Sequence, residues 1–517
     1  MFNDDSVQTK DDIVRIFNII ARALRVLHEI GQEHFSELYS INDFDAILNK
    51  IEGVLDDVWD GDVSTLGRYL ESMVGQLEEE KNQDIYVKAY GIVVWLDNKF
   101  TFLTESKINH DKKLRQGIEI ENYISLWSYL DLDEIDFREI GALNNNYVET
   151  GIWINPKLPV RKSYDAYDDG EINKREKPIG NRDAFWGINN MLNNMSYYMW
   201  DGKYKIKNII MTDTRLASEN AVLRVAFAPI TSKKDVIDCK KVIINRYGIT
   251  KTGAKIHLNY PEDEINERMI SDWKLACKRE ADIVFMPEVL GTRKVYGEYQ
   301  ENVDWMGDLY RDNLNNDLHS PIITIWPSYW EDGENSITMT YNDGSVIGIQ
   351  KKHYPYIDKK NHLEEALKEY NVMEYIVIHI PNVHRVAVLI CSEFLLDQES
   401  KWSDILCRSI GVTLLIVPSY TPGEQDFLNK VSRYNDLGTM VIWGNCCGAS
   451  KSSVKSIGAC SKPGSNSIEV FKRNMECNGE CKNVKACIFV VKVPLSVLVN
   501  KQVIQSVDTE HIIEKSN

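Results

Sequence analysis

The sequence predicts an α/β domain preceded by a mostly helical one. From residue 223 onward, short apolar runs alternate with amphipathic stretches in the order strand, helix, strand, which is the grammar of an α/β domain. Before residue 140, apolar residues recur at spacings of three and four, the period of a helix buried on one face. Charge divides the chain near the same place: of a formal net charge of −17, residues 1–150 hold 30 acidic and 14 basic side chains, against 47 and 46 in the rest.

The first helical face carries Ile13, Ile16, Phe17, Ile20, Leu24 and Leu27, and a second carries Leu48, Ile51 and Leu55. A third opens after Ser64, a candidate cap, and carries Leu66, Leu70, Met73, Val74 and Leu77. Residues 86–96 fit a helix or, through their β-branched run, a strand. Asn144, Asn145, Asn146, Pro156, Pro159 and the charged stretch 168–177 mark a break. We therefore expect an acidic helical domain over 1–145, a linker and packing segment over 146–220, an α/β domain over 221–497 and a tail over 498–517. The linker is aromatic, and Phe185, Trp186, Tyr197, Tyr198 and Trp200 are expected to pack across the junction. In the α/β domain, a run at 225–228 precedes a helix with Ile265, Met269, Trp273 and Ala276 on one side. Further runs at 283–286, 322–326, 337–341, 376–380, 386–390, 414–417, 440–443 and 488–493 supply enough strands for two sheets.

A chain of 517 residues can bury at least two cores. The acidic N-terminal part would repel a phosphate backbone, so a solvated helical face or a basic protein partner is expected there, and no direct nucleic-acid motif is present. The longest apolar runs, such as 413–417, are too short to cross a bilayer. With no N-terminal signal pattern and ten cysteines scattered along the chain, the expectation is a cytoplasmic protein with reduced thiols.

One cysteine stands apart. Cys391 closes the apolar run 385–390 and is followed by Ser392, Glu393 and Phe394, a position where a reactive group is held rigidly at the mouth of a sheet. Glu288 ends the run 283–288, and Lys351 lies in Gly348-Ile349-Gln350-Lys351-Lys352-His353-Tyr354-Pro355. Together they supply a nucleophile, a base and a cation. In this order and context they resemble the nitrilase superfamily of carbon–nitrogen hydrolases. Asn335-Ser336 before Asp343-Gly344 is similar to the family's hairpin leading to its lysine, residues 351–355 to its Lys-x-His-x-Pro stretch, and Cys391-Ser392-Glu393 to its Cys-x-Glu signature. Residues 411–418, Arg433 and Asn445 fall where the family has its next strand, an arginine and an asparagine, and the likeness spans roughly 221–497. Pro229 and Asp436 depart from the usual Gln and Glu.

The resemblance implies a four-layer α-β-β-α sandwich and a thiol mechanism. Cys391 attacks, Glu288 moves the proton, and Lys351 with the backbone N–H after Cys391 faces the oxyanion. The Lys-x-His-x-Pro register selects Lys351 over Lys352, whose side chain would face the opposite side of a strand. A second glutamate between lysine and cysteine is implied; Glu364 and Glu365 both lie in that interval, and the sequence does not separate them. Singly, a strand-end Cys is most often a small buried hydrophobe and a Lys-Lys pair a solvated one; the joint pattern favours the triad.

Cys460, Cys477, Cys481 and Cys487 match no common zinc spacing, so no metal is expected, and with no Gly-rich phosphate loop no cofactor is expected either. Tyr167-Asp168-Asp169 lacks the setting of a polymerase metal site. The long segment 291–320, with Tyr296, Tyr299, Trp305 and Tyr310, reads equally as a lid or a subunit contact. The expected function is hydrolysis of a non-peptide carbon–nitrogen bond, in an amide rather than a nitrile or carbamoyl group. The rival reading is a nitrilase-fold interaction module in a multiprotein antiviral defence system, because nitrilase-like domains occur with reverse transcriptases in such systems. The family resemblance further implies a homodimer or higher oligomer formed through an outer helical layer.

Overall fold

The computed structural model describes residues 5–30, 41–59, 63–79, 82–101, 151–156, 195–199, 203–211, 222–231, 236–246, 248–295, 305–316, 318–358, 363–380, 383–449, 456–462, 467–472, 484–494 and 507–515, with a few isolated positions between them. Four helices open the chain: α1 (Asp5–His28), α2 (Phe44–Val58), α3 (Val63–Glu79) and α4 (Asp84–Lys99). The residues at three-four spacing, among them Ile16, Phe17, Ile20, Leu24, Leu48, Leu55, Leu66, Leu70 and Val74, form one core. The ambiguous segment 86–96 is helical. Val87, Ala89, Tyr90 and the run 91–97 are buried around the whole circumference, so α4 is the central helix and has no polar face to show a period.

The rest is a four-layer α-β-β-α sandwich. Its first sheet runs β9 (Tyr329–Glu331), β10 (Glu334–Thr340), β8 (Ile323–Ile325), β7 (Ile283–Phe285), β4 (Val222–Phe227), β20 (Val484–Pro494) and β21 (Asp508–Lys515), with β11 (Val346–Lys351) paired to β10. The second runs β19 (Ile468–Lys472), β18 (Ser456–Ser461), β17 (Met440–Asn445), β16 (Leu414–Ser419), β15 (His384–Val388), β14 (Met373–Ile380) and β3 (Tyr204–Ile210). Val225, Phe227, Ile283 and Phe285 of one sheet share a core with Val377, Val386, Ile416 and Ile442 of the other. Helices α5 (Glu262–Lys278) and α6 (Trp305–Asn315) cover the outer face of the first sheet through Trp273 and Tyr310. The short helix α7 (Ser392–Leu395) and α8 (Glu424–Val431) cover the second through Phe394 and Phe427. At Gly444 the sheets approach so closely that a Cβ would lie 2.4 Å from the Phe227 ring.

Two expected boundaries shift. Strand β3, from the segment assigned to a linker, pairs in parallel with β14, and β21, from the segment assigned to a tail, pairs along β20. Each caps a sheet edge, which sequence periodicity does not reveal. The hairpin of β1 (Ile152–Pro156) and β2 (Met195–Met199) joins the two parts by simple alternation. Met195 and Tyr197 enter the helical core, Tyr198 enters the sandwich core, and buried Asp97 of α4 accepts the Met195 N–H at 2.8 Å. Phe185, Trp186 and Trp200 lie outside the described residues.

A further small sheet, β12 (Ile357–Asp358), β13 (Leu363–Glu365), β6 (Ile249–Leu258) and β5 (Ile237–Arg246), consists of a long hairpin docked on the strand that ends in Glu365.

Candidate active site

Glu288 and Cys391 come together because each follows a strand ending at the same rim of the sandwich. Parallel pairing continues past β15: the N–H groups of Leu389 and Cys391 donate to Ile416 and Pro418 carbonyls at 3.1 and 2.9 Å. The chain then turns into α7 with Cys391 at φ 50°, ψ −108°. Directly after Glu288, Val289 is held at φ 56°, its N–H on Ser328 Oγ at 2.8 Å. Positive φ at a β-branched residue and at a cysteine is strain that persists only where the surroundings fix it, as they do here on both sides of the site.

Lys352 joins the two carboxylates. Its Nζ donates to Glu288 Oε1 at 2.7 Å and to Glu365 Oε2 at 2.6 Å, with the lysine side chain 1% exposed. Asn335 Nδ2 bridges the same carboxylates at 2.9 and 3.1 Å, and the Tyr356 N–H holds Glu365 Oε2 at 3.0 Å. The Cys391 thiol lies beside Glu288, close enough for the carboxylate and the Lys352 ammonium to act on it, and the Tyr420 N–H donates to Glu288 Oε2 at 3.3 Å. Asn445 fixes the segment after β16 through paired bonds to Thr421, 2.9 Å from its N–H and 2.8 Å to its carbonyl.

Burial sets the electrostatics. It raises the Glu288 carboxyl above the usual carboxylate range, with Glu365 pushing the same way and Lys352 against. Burial and then the Glu288 charge push the Cys391 thiol well up, against the pull of Lys352. Burial alone would lower the Lys352 ammonium, but Glu288 and Glu365 outweigh it and raise it. These shifts favour a neutral thiol and a charged Lys352 beside a carboxyl that holds its proton more tightly than an exposed glutamate does. Buried Glu393 holds the turn after β15 in place: it accepts the Ile390 N–H at 3.1 Å and the His353 N–H at 2.7 Å, tying the Cys391 turn to the segment after β11.

The lysine expected here, Lys351, is elsewhere. It pairs with Glu334 at 3.1 Å on the half-exposed side, while the Lys352 N–H donates to the Asn335 carbonyl at 2.8 Å and its side chain turns inward. The glutamates separate in the same way. Glu365 is at the site, whereas Glu364 turns to Lys251, 3.0 Å away on the hairpin. Asn335 is a site residue that the sequence offered only as a hairpin signal.

Other candidates fall outside this set. Tyr310 is buried under α6, its hydroxyl donating to Thr324 Oγ1 at 2.8 Å, so it is core rather than lid; Tyr296 and Tyr299 lie outside the described residues. Cys487 has its sulfur 3.1 Å from His511 Nε2, Cys460 is buried in β18, and Cys477, Cys481 and residues 167–169 lie outside the described residues. Among the described residues, no group of His, Cys, Asp and Glu is arranged to hold a metal ion, and no helix is long and apolar enough to cross a membrane.

No protein-family model and no curated protein matches the chain. Similar solved structures include a cysteine-to-alanine mutant of the Nesterenkonia AN1 amidase from the nitrilase superfamily, 14% identical, covering 54% of this chain and 92% of that one at a TM-score of 0.36. Another is a mutant of the amidase from Nesterenkonia sp. AN1 in complex with butyramide, 12% identical, covering 54% and 93% at 0.36. A third is the glutamine-dependent NAD+ synthetase from Acinetobacter baumannii, 17% identical, covering 55% of this chain and 48% of that one at 0.33.

Proposed function

We propose that the chain is a carbon–nitrogen hydrolase of the nitrilase superfamily that cleaves an amide through an acyl-enzyme on Cys391. The observation that carries this reading is the buried constellation itself: one ammonium, Lys352, shared by two carboxylates, one of which, Glu288, lies beside the thiol. A structural role alone does not call for a buried ion network at a strained turn, because replacing such a network by apolar groups is often neutral or stabilising.

Glu288 takes the thiol proton as the Cys391 sulfur bonds to the amide carbon, and the carbonyl oxygen becomes an oxyanion. Lys352 and the Ser392 backbone N–H face that oxygen. Collapse breaks the carbon–nitrogen bond while Glu288 returns the proton to the leaving nitrogen, so an amine departs and a thioester remains. Water then attacks the thioester, giving its proton to Glu288. The carbon–sulfur bond breaks, the sulfur regains the proton from Glu288, and the acid is released. Glu365 touches no reacting atom in this scheme; together with Asn335 it orients Lys352.

Incubation with a short aliphatic amide such as butyramide, followed by intact-protein mass spectrometry, tests the reading. A mass increase equal to the acyl group, localised to Cys391 and absent from Cys391→Ala, is expected. Amide hydrolysis at the wild-type rate by Cys391→Ala would overturn it.

A further inference from the structure

The row of side chains that contains Lys352 has a third member. Strands β9 and β10 are joined by the two-residue turn Asp332-Gly333, with φ 47° and 82°, so Trp330 stands directly opposite Asn335. Hydrogen-bonded and open pairs alternate outward from such a turn. Trp330 and Asn335 form an open pair, with Cα atoms about 4.5 Å apart and side chains on one face. On the other side of β10 the Lys352 N–H donates to the Asn335 carbonyl, one step beyond the Ser336–Lys351 pair. Lys352, Asn335 and Trp330 thus lie side by side, and β9 is the edge of the sheet. Two strand spacings, about 10 Å, separate the outer two backbones, within reach of a short acyl chain held at Lys352.

Two atoms of this row lack partners. Asn335 Nδ2 is taken up by Glu288 and Glu365, while Oδ1 of this fully buried residue accepts from no donor among the described residues. Trp330 is half-buried, yet its Nε1 is enclosed with no acceptor among the described residues. An indole N–H only donates and an amide oxygen only accepts. Enclosed donors and acceptors are nearly always paired, and leaving one unpaired is more costly than the net gain from a formed bond. Were Trp330 only packing, a phenylalanine ring would serve without the unpaired N–H.

We propose that Trp330 Nε1–H and Asn335 Oδ1 form a specificity subsite that takes a second carboxamide on the acyl chain of the substrate. Its oxygen accepts from Trp330 and its N–H donates to Asn335. A carboxamide presents an acceptor and a donor in fixed directions, which complements two unpaired atoms of opposite kind on one face. It belongs to the acyl side, because a primary amide loses only ammonia from the other. The substrate class is therefore the diamide of a short dicarboxylic acid. This inference rests on the hydrolase reading of the Cys391 site.

Three acyl chains of one shape test it: succinamide, levulinamide, in which methyl replaces the second amino group, and isocaproamide, which lacks the second carbonyl oxygen as well. Wild type should favour succinamide over isocaproamide by about tenfold or more in kcat/KM, with levulinamide between them. Trp330→Phe keeps a ring and loses the N–H. It should remove the advantage of levulinamide over isocaproamide while thermal unfolding stays at or above the wild-type temperature. Binding is read separately by NMR of Cys391→Ala carrying isotope-labelled tryptophan. Succinamide should shift the indole resonance that is missing from Cys391→Ala/Trp330→Phe. Equal kcat/KM for the three amides, a preference unchanged in Trp330→Phe, or an unmoved Trp330 resonance would each overturn the subsite. A shifted resonance with no turnover of any of the amides by wild type would instead overturn the hydrolase reading and support the subsite.

Discussion

Cys391 sits at φ 50° with its thiol kept neutral by burial and by the charge of Glu288, so its reactivity depends on the carboxylate beside it. Cys391→Ala should lose turnover by a factor on the order of 10⁶ while far-ultraviolet circular dichroism is unchanged, because removing a nucleophile is not compensated by the remaining groups. Glu288 must be ionised to accept the thiol proton, and its carboxyl lies above the usual range. Activity is therefore present above that raised value and falls as pH drops through it, placing the acid limb of kcat/KM above about 4.3, the ordinary glutamate value. A limb at or below that value would contradict the base assignment. The two lysines offer the sharpest contrast. In the proposed mechanism Lys352→Met removes the cation facing the oxyanion, with an expected loss of about 100-fold or more in kcat. It also leaves Glu288 and Glu365 buried without it, costing about 3–5 kcal/mol in denaturant unfolding. Lys351→Met breaks a half-exposed pair with Glu334 and should change stability by at most about 1 kcal/mol.

At the scale of elements, the strand β11 explains why the wrong lysine looks right in the sequence. The Lys-x-His-x-Pro register selects Lys351, and the alternation of Ile347 and Ile349, which share its parity, does not argue against that choice. The inward face is instead that of Gly348, Gln350 and Lys352: a Cβ on Gly348 would lie 2.8 Å from Ile376 Cδ1, and Gln350 donates to the Glu374 carbonyl at 3.0 Å. Helix α5 is fixed to its sheet by Asp272, which accepts the Cys487 N–H at 2.7 Å. Burial raises this carboxyl to about 7 despite Arg268. Between the ordinary aspartate value near 4 and about 7, the folded chain holds a proton that the unfolded chain has released. Stability from this group is therefore greatest below pH 4 and lost as pH rises to 7, by up to about 1.4 kcal/mol per unit. Asp272→Asn should remove that slope from unfolding measured across pH 4–7; an unchanged slope would show that another group titrates there.

For the whole molecule, the helical part is more firmly attached than an independent binding domain would be. Ile152, Ile154, Met195 and Tyr197 of the β1–β2 hairpin complete the helical core, while Tyr198 on the same strand fills the sandwich core. Deleting residues 1–140 would expose that apolar side, so we expect aggregation or a lowered Tm from the truncation rather than a clean loss of one binding function. A truncated chain as stable as the full one in thermal unfolding would show that the two cores are energetically separate.

What the sequence determined by itself is what periodicity and punctuation encode: the helical half, the strand-helix alternation, and the placement of Glu288 and Cys391 at strand ends. What only the tertiary structure decided is choice between neighbours and recruitment at a distance. Lys352 rather than Lys351 and Glu365 rather than Glu364 are single-residue choices of strand face, set by which side meets the opposing sheet. The joining of β3 and β21 to the sandwich, and the use of Asn335 between two carboxylates, depend on contacts between segments far apart in the chain. Local spacing carries no record of those contacts, because a strand has the same pattern wherever it pairs.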